Sequence, residues 1–276
     1  MKKSSRDARR HKRDSSHNES RQNTHKHNGH PRDEKRTGSS NRRRERFPRE
    51  VAVLYEDDAV IVLNKPPGLL AVPIKRSHTP SALSLAGEEL KHKRQRALIV
   101  HRIDRFVSGI LLFAKTNQAR DSLIKQFLAH TPVRQYLAVV RGQIEKEPAT
   151  LVHYFRREGM FQLLRTAKDK TASRAELHYS AERVFRDASL VRVDLITGLQ
   201  NQIRAQFAAI GHPIIGDRKY HQKEAEERLI DRVALHAAHL EFTHPGTGKT
   251  VTIDCEPPQD FQRLIRALER PGRPQK

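Results

Sequence analysis

The chain has 276 residues, with 53 Lys and Arg against 32 Asp and Glu, a formal net charge of +21 and a sequence pI near 10.5. That length suits one large domain or two small ones, and that charge favours polyanionic partners, nucleic acid ahead of an acidic membrane surface. The single cysteine, Cys255, excludes an intramolecular disulfide framework and fits a reducing compartment, and no apolar run is long enough to span a bilayer. The charged N-terminus lacks the apolar stretch of a secretory signal and the acid-free amphipathic pattern of a mitochondrial leader, so a cytoplasmic location is expected.

Residues 1–46 hold almost nothing apolar beyond Met1 and Ala8. Residues 1–50 carry 17 Lys and Arg against 7 Asp and Glu, nearly half of the whole net charge. Such a segment cannot bury enough apolar surface to offset its ordering entropy. Residues 1–48 therefore read as a disordered basic tail, an RNA-binding arm ahead of a merely solubilising one, and residues 49–276 as a folded domain.

Order begins near Phe47-Pro48. "VAVLYEDDAVIVLNKPPGLLAV" predicts two strands split by the acidic turn Glu56-Asp57-Asp58 and closed by Pro66-Pro67-Gly68. A helix is expected in "HTPSALSLAGEELKHKR", with Thr79 as N-cap and Pro80 in its first position. "GILLFAKT" predicts a buried strand. The spacing of Ala119, Leu123, Ile124, Phe127 and Leu128 predicts a helix capped by Thr116 or Asn117. "VRQYLAVVRG", "ATLVHYF", "SRAELHYSAERVF" and "SLVRVDLITG" follow as strands, then "NQIRAQFAAIG" as a helix closed by Gly211. "ALHAAHLEFTHPGTGKTVTIDC" reads as a hairpin and "PQDFQRLIRALER" as a final helix. The pattern is that of an α+β domain, a mixed and mostly antiparallel sheet flanked by helices.

Two features mislead. "GTGKT", Gly246 to Thr250, resembles the end of a phosphate-binding loop, but the motif needs a glycine where Thr243 stands, and a helix where strand-like "VTIDC" follows. The 16 histidines show no ligand spacing: His236 and His239 fall in a strand-like run, and no Cys or Glu stands at a matching distance, so no metal is expected.

The stretch "HRIDRFVSGILLFAKT" sets one acid, Asp104, between Arg102 and Arg105 just ahead of an apolar run. A structural ion pair is the ordinary explanation for such an acid. Three features favour chemistry instead: a rigid strand mount, Gly109 allowing close backbone approach, and neighbouring guanidiniums that keep a carboxylate ionised and oriented.

Taken with four further stretches, this one resembles the RluA-type family of RNA pseudouridine synthases over nearly all of residues 51–262. "LYEDDAVIVLNKPPGLLAVP" resembles the family's opening motif and "HRIDRFVSGILLFAKT" its catalytic loop, HRLDRxTSGxLLxAK. "VRQYLAVVRG" resembles its tyrosine segment, "LITGLQNQIRAQFAAIGHPIIGDRKY" its TGRTHQIR and GHPxxGD stretch, and "LHAAHLEFTHPGTGK" its closing motif. Five motifs in order are a specific match.

The resemblance implies the pseudouridine synthase fold and isomerisation of uridine in RNA to its C-glycoside. It implies that Asp104 acts at the ribose, by adding to C1′ or by taking a proton at C2′. It assigns stacking on the detached uracil and transfer of the C5 proton to Tyr136, and pairing with the carboxylate to Arg204. Arg102 is matched to the residue that fills the space of a flipped base, His101 and Arg105 to phosphate contacts, and Gln202 and Ile203 to the pocket wall. No cofactor is implied. The expected partner is RNA, ribosomal first and transfer second, with no membrane, no obligate protein partner and a monomeric enzyme. A catalytically idle RNA-binding or ribosome-assembly factor on the same fold is the alternative.

The chain departs from the motif at Leu199-Gln200-Asn201, where the family has Arg-Thr-His. Asn201 still donates and accepts hydrogen bonds but carries no charge. Altered RNA contacts, rather than lost chemistry, are the expectation. Residues 1–50 carry no apolar pattern from which an S4-type RNA-binding domain is built, and the tail is expected to stand in for one loosely. Removing residues 1–46 should then weaken RNA binding and flatten its salt dependence in filter-binding titrations; unchanged binding would contradict this.

Overall fold

The apolar runs Val60–Leu63 and Ile110–Ala114 pair side by side within one sheet and send alternate side chains to opposite cores. Val60, Val62, Ile110 and Leu112 face one core; Ile61, Leu63, Leu111 and Phe113 face the other. Burial on both faces is why these runs are apolar throughout rather than alternating. The computed structural model describes residues 51–75, 79–220 and 230–269. The basic tail expected over residues 1–48 lies outside the described residues.

The strands in chain order are β1 (Val53–Glu56), β2 (Val60–Lys65), β3 (Leu98–Ile99), β4 (Ser108–Ala114), β5 (Val133–Arg141), β6 (Ala149–Glu158), β7 (Phe161–Arg165), β8 (Ser173–Val184), β9 (Ala188–Leu195), β10 (Leu235–Thr243) and β11 (Thr250–Asp254). The helices are α1 (Ala82–Leu90), α2 (Asn117–Leu128), α3 (Gln202–Ala209) and α4 (Gln259–Glu269). Among the described residues these eleven strands join one sheet in the order β1-β2-β4-β10-β5-β9-β8-β6-β7, with β11 on β10 and β3 on β4. Every pairing is antiparallel except β4 with β10. The fold is α+β, a mixed and mostly antiparallel sheet with helices against it. Among the described residues no helix is long and apolar enough to cross a membrane.

Local chemistry explains most boundaries. Asp57 turns β1 into β2 by accepting the Ala59 and Val60 N–H groups at 2.8 and 2.9 Å. Thr116 caps α2 by accepting the Ala119 N–H at 3.1 Å. Helix α1 begins later than its sequence suggests: Ser81, not Thr79, is the N-cap. Ser81 is held extended by a bridge to Leu70, and it exchanges hydrogen bonds with Ser84 in a capping box. The hairpin of β6 and β7 extends beyond "ATLVHYF", and β7 is absent from the sequence reading because its pattern is short and half exposed.

The parallel joint of β4 and β10 positions the site. Gly109 of β4 and Tyr136 of β5 both pair with Ala237 of β10, so the three lie in one row across the sheet. The loop ahead of β4 is thereby brought to the strand that carries Tyr136. Gly109 has φ +105°, and a Cβ placed there would meet the Ala237 carbonyl oxygen at 2.1 Å. Gly109→Ala should therefore cost about 2–5 kcal/mol of unfolding free energy, measured by urea titration. A loss below about 1 kcal/mol would show that the joint yields easily.

Candidate active site

The loop His101–Val107 is fastened from beneath. Lys65, fully buried, donates from Nζ to the carbonyls of Pro66, Leu69 and Arg105 at 3.0, 2.9 and 3.0 Å. Gly68 donates its N–H to the Arg105 carbonyl at 2.9 Å, and Arg105 Nε returns a bond to the Gly68 carbonyl at 2.8 Å. The turn itself closes with the Val107 N–H on the Asp104 carbonyl at 3.1 Å. Burial, opposed by the nearby Asp104 charge, pulls the Lys65 ammonium down to about 7. Backbone pinned on both sides leaves the Asp104 carboxylate on a rigid mount.

Helix α3 brings the counter-charge. Its N-cap, Asn201, sits in the left-handed region at φ 55° and makes no side-chain cap bond. Its side chain turns elsewhere: Oδ1 accepts from Arg204 Nη1 at 2.8 Å and Nδ2 donates to the Met160 carbonyl at 3.2 Å. Arg204 donates from Nε and Nη2 to Asp217, both at 2.7 Å, and from Nη1 to Asp104 Oδ2 at 3.0 Å. The Asp217 side chain is 0% exposed, Arg204 13% and Asp104 20%. Asp217 also accepts the Lys219 N–H at 2.9 Å. A fork-like pair to a buried acid thus fixes the guanidinium, and its remaining edge serves the more accessible acid. Burial alone would lower the Arg204 pKa, but Asp217 and then Asp104 raise it above the ordinary arginine value.

A cavity of about 460 Å³ opens over this network, within the roughly 300–1,000 Å³ range of small-ligand sites. Asp104, Tyr136, Arg134, Ile203, Leu195 and Arg204 are among its walls. Tyr136 is buried, and burial raises its pKa, with Asp104 adding to that and Arg134 opposing it. Arg134 lies 5.7 Å over the Phe127 ring and donates from Nη2 to the Ile196 carbonyl at 2.5 Å.

Asp104, Tyr136, Arg204, Arg102, His101, Asn201, Gln202 and Ile203 all border this cavity; Arg105 does not. Arg102 is exposed at it. Arg105 Nε donates to the Gly68 carbonyl and its guanidinium lies 5.2 Å from the Phe106 ring centre, which ties the side chain to the loop. His101 stacks on Phe127 at 4.6 Å and its Nε2 accepts the Leu112 N–H at 3.1 Å. Burial, then the Arg134 charge, push its pKa down to about 3, so it is a neutral ring here and not a cation for phosphate. The Gln202 amide is fully engaged by Thr197, Leu199, Glu176 and Gln206, which makes it a brace for the β9–α3 connection. Sequence reasoning misses Lys65 and Asp217. Asp217 ends the quoted "GHPIIGD" stretch, and an acid closing a buried turn near a motif arginine is the signal that finds it.

Residues 59–209 match the family model described as RNA pseudouridylate synthase. The ribosomal large subunit pseudouridine synthase D of Zymomonas mobilis is 34% identical over 228 residues, covering 78% of this chain and 72% of that protein. Synthase C of the same name series from Escherichia coli K12 is 35% identical over 230 residues, 78% of this chain and 69% of that one. In fold, the human RNA pseudouridylate synthase domain containing 4 superposes with TM-score 0.65 at 20% identity, covering 80% of this chain and 95% of its own.

The two carboxylates on Arg204 should differ in what they do for stability. Asp217→Asn leaves a buried guanidinium short of its anion and should cost about 3 kcal/mol. Asp104→Asn removes a more accessible partner and should cost under about 1 kcal/mol. Urea unfolding of both variants tests this, and equal losses would contradict the division of labour.

Proposed function

The chain belongs to the RNA pseudouridylate synthase family, and on that premise we propose that it isomerises uridine in large-subunit ribosomal RNA, with Asp104 as the reacting carboxylate. The observation that carries the reading is the 3.0 Å bond between Arg204 and Asp104, made inside the cavity that Tyr136 also walls. The relatives named as ribosomal large subunit pseudouridine synthases support ribosomal RNA as the substrate.

The uridine leaves its stack to enter the cavity, and the exposed Arg102 occupies the space it vacates. Arg204 holds one edge of Asp104, which keeps the carboxylate aimed. Asp104 adds to C1′ or removes the C2′ proton, and the N1–C1′ bond breaks. The uracil turns against Tyr136 and Ile203, and C5 bonds to C1′. Tyr136 takes the proton displaced from C5 while its own phenol proton passes to N1, so the uracil and the phenol both end neutral. Burial and the Asp104 charge both keep that phenol protonated beforehand. Asp104 regains its charge as C5 joins C1′, by leaving the ester or by returning the proton to C2′, and so is restored for the next turnover. No step calls on a metal or an organic cofactor.

Release of tritium from ribosomal RNA labelled at uracil C5 tests the reading. The parent protein should release tritium from large-subunit RNA in preference to transfer RNA, and Asp104→Asn should be slower by roughly 10³-fold or more. RNA binding without release from any RNA would favour an idle binding factor instead.

A further inference from the structure

Four arginines line the cavity: Arg102, Arg134, Arg174 and Arg204. Arg204 is matched by Asp104 and Asp217, Arg174 pairs with Glu176, and Arg102 is exposed to solvent. Arg134 differs from the other three. Among the described residues it has no carboxylate partner, and its Nε is buried with no hydrogen bond. Its contacts are the Ile196 carbonyl at 2.5 Å, a longer approach to the Thr197 carbonyl at 3.5 Å, and the Phe127 ring. A half-buried cation without an anion is costly, and burial already pulls its pKa below the ordinary value. The fold tolerates that cost beside Tyr136. The two residues are two apart on β5, so they project from the same face, and both wall the cavity.

The proposed reaction generates the missing anion there. When N1–C1′ breaks, its electron pair leaves with the uracil. C1′ is then satisfied by an ester bond to Asp104 or, once Asp104 has taken the C2′ proton, by a C1′–C2′ double bond. Either route leaves a uracil anion, with its charge spread over N1, C5, O2 and O4. Arg204 stays paired with the buried Asp217 after Asp104 loses its charge, and so cannot give the ring a full counter-charge. We propose that Arg134 is a further catalytic residue, whose unpaired guanidinium edge takes up the negative charge of the uracil as it leaves the ribose. The bond to Ile196 and the Phe127 face hold the guanidinium still, so little reorganisation is needed as charge develops. The ring returns to neutral when C5 joins C1′ and Asp104 regains its charge; the C5 proton then leaves as N1 gains one. This inference rests on the isomerase reading above.

The test compares parent, Arg134→Gln and Arg134→Lys on two large-subunit ribosomal RNA transcripts, one with uridine and one with 5-fluorouridine throughout. Nucleosides are resolved by chromatography after single-turnover reaction and digestion. Fluorine withdraws electrons and stabilises the uracil anion by itself, so it makes a cation at the ring less necessary. Arg134→Gln should slow consumption of uridine by roughly 10²–10³-fold, with RNA affinity changed less than about threefold. On the fluorinated RNA the loss should be at least about tenfold smaller, and Arg134→Lys should recover part of the rate on both. An equal loss on both RNAs would overturn the inference in favour of a purely structural Arg134, because misfolding lowers both rates alike. Weakened RNA binding with a salt slope reduced by about one ion would overturn it in favour of a phosphate contact. If the parent converts neither RNA while still binding both, the isomerase reading itself fails and takes this inference with it.

Discussion

The guanidinium of Arg204 stands between two carboxylates of unlike exposure, and the geometry of the active site follows from that difference. Asp217 is sealed from solvent and takes two of the guanidinium's N–H groups, while Asp104 takes one and keeps its other oxygen available. A buried pair of this kind fixes direction more than it adds stability, since desolvation offsets most of the attraction. Asn201 adds a third acceptor to Arg204 and ties the network to the Met160 carbonyl at the tip of the β6–β7 hairpin. The charge-neutral asparagine, standing where the resembled motif has histidine, thus still orients the arginine.

What makes the pairing reachable is the sheet. Asp104 and Arg204 are 100 residues apart in the chain, and Tyr136 lies between them. The parallel contact of β4 with β10, and the antiparallel contact of β10 with β5, place the end of the Asp104 loop and Tyr136 in a single row. Lys65 then locks that loop to the turn after β2 with three carbonyl bonds. Asp104 sits on a loop, but its position is set by strands buried on both faces.

Much of this is legible in the sequence. The apolar run from Ile110 to Ala114 and the spacing of α2 declare their elements, because burial imposes period and composition. The α+β class follows from the order of those elements. Other parts leave no local trace. The β4–β10 joint depends on residues far apart in the chain, and no local pattern encodes its direction. Ser81 displaces Thr79 as the cap of α1 because a bridge to Leu70 fixes its backbone, which is a tertiary effect. Lys65 reads as a polar residue ending a strand, yet it is fully buried, since the carbonyls that satisfy it come from other segments. His101 and Arg105 look alike in a cationic loop, but one is a neutral stacked ring and the other a backbone clamp. Charge in a sequence names candidates for phosphate contact; only geometry sorts them.

The central claim is that Asp217, which touches no substrate in this account, acts through Arg204 to aim Asp104. The direct measurement is the single-turnover rate of pseudouridine formation by Asp217→Asn at saturating ribosomal RNA, beside its RNA affinity. The expected rate is lower by about 10²-fold or more at an affinity changed less than about threefold, because misaiming a reacting group costs rate rather than binding. A rate equal to that of the parent protein would contradict it.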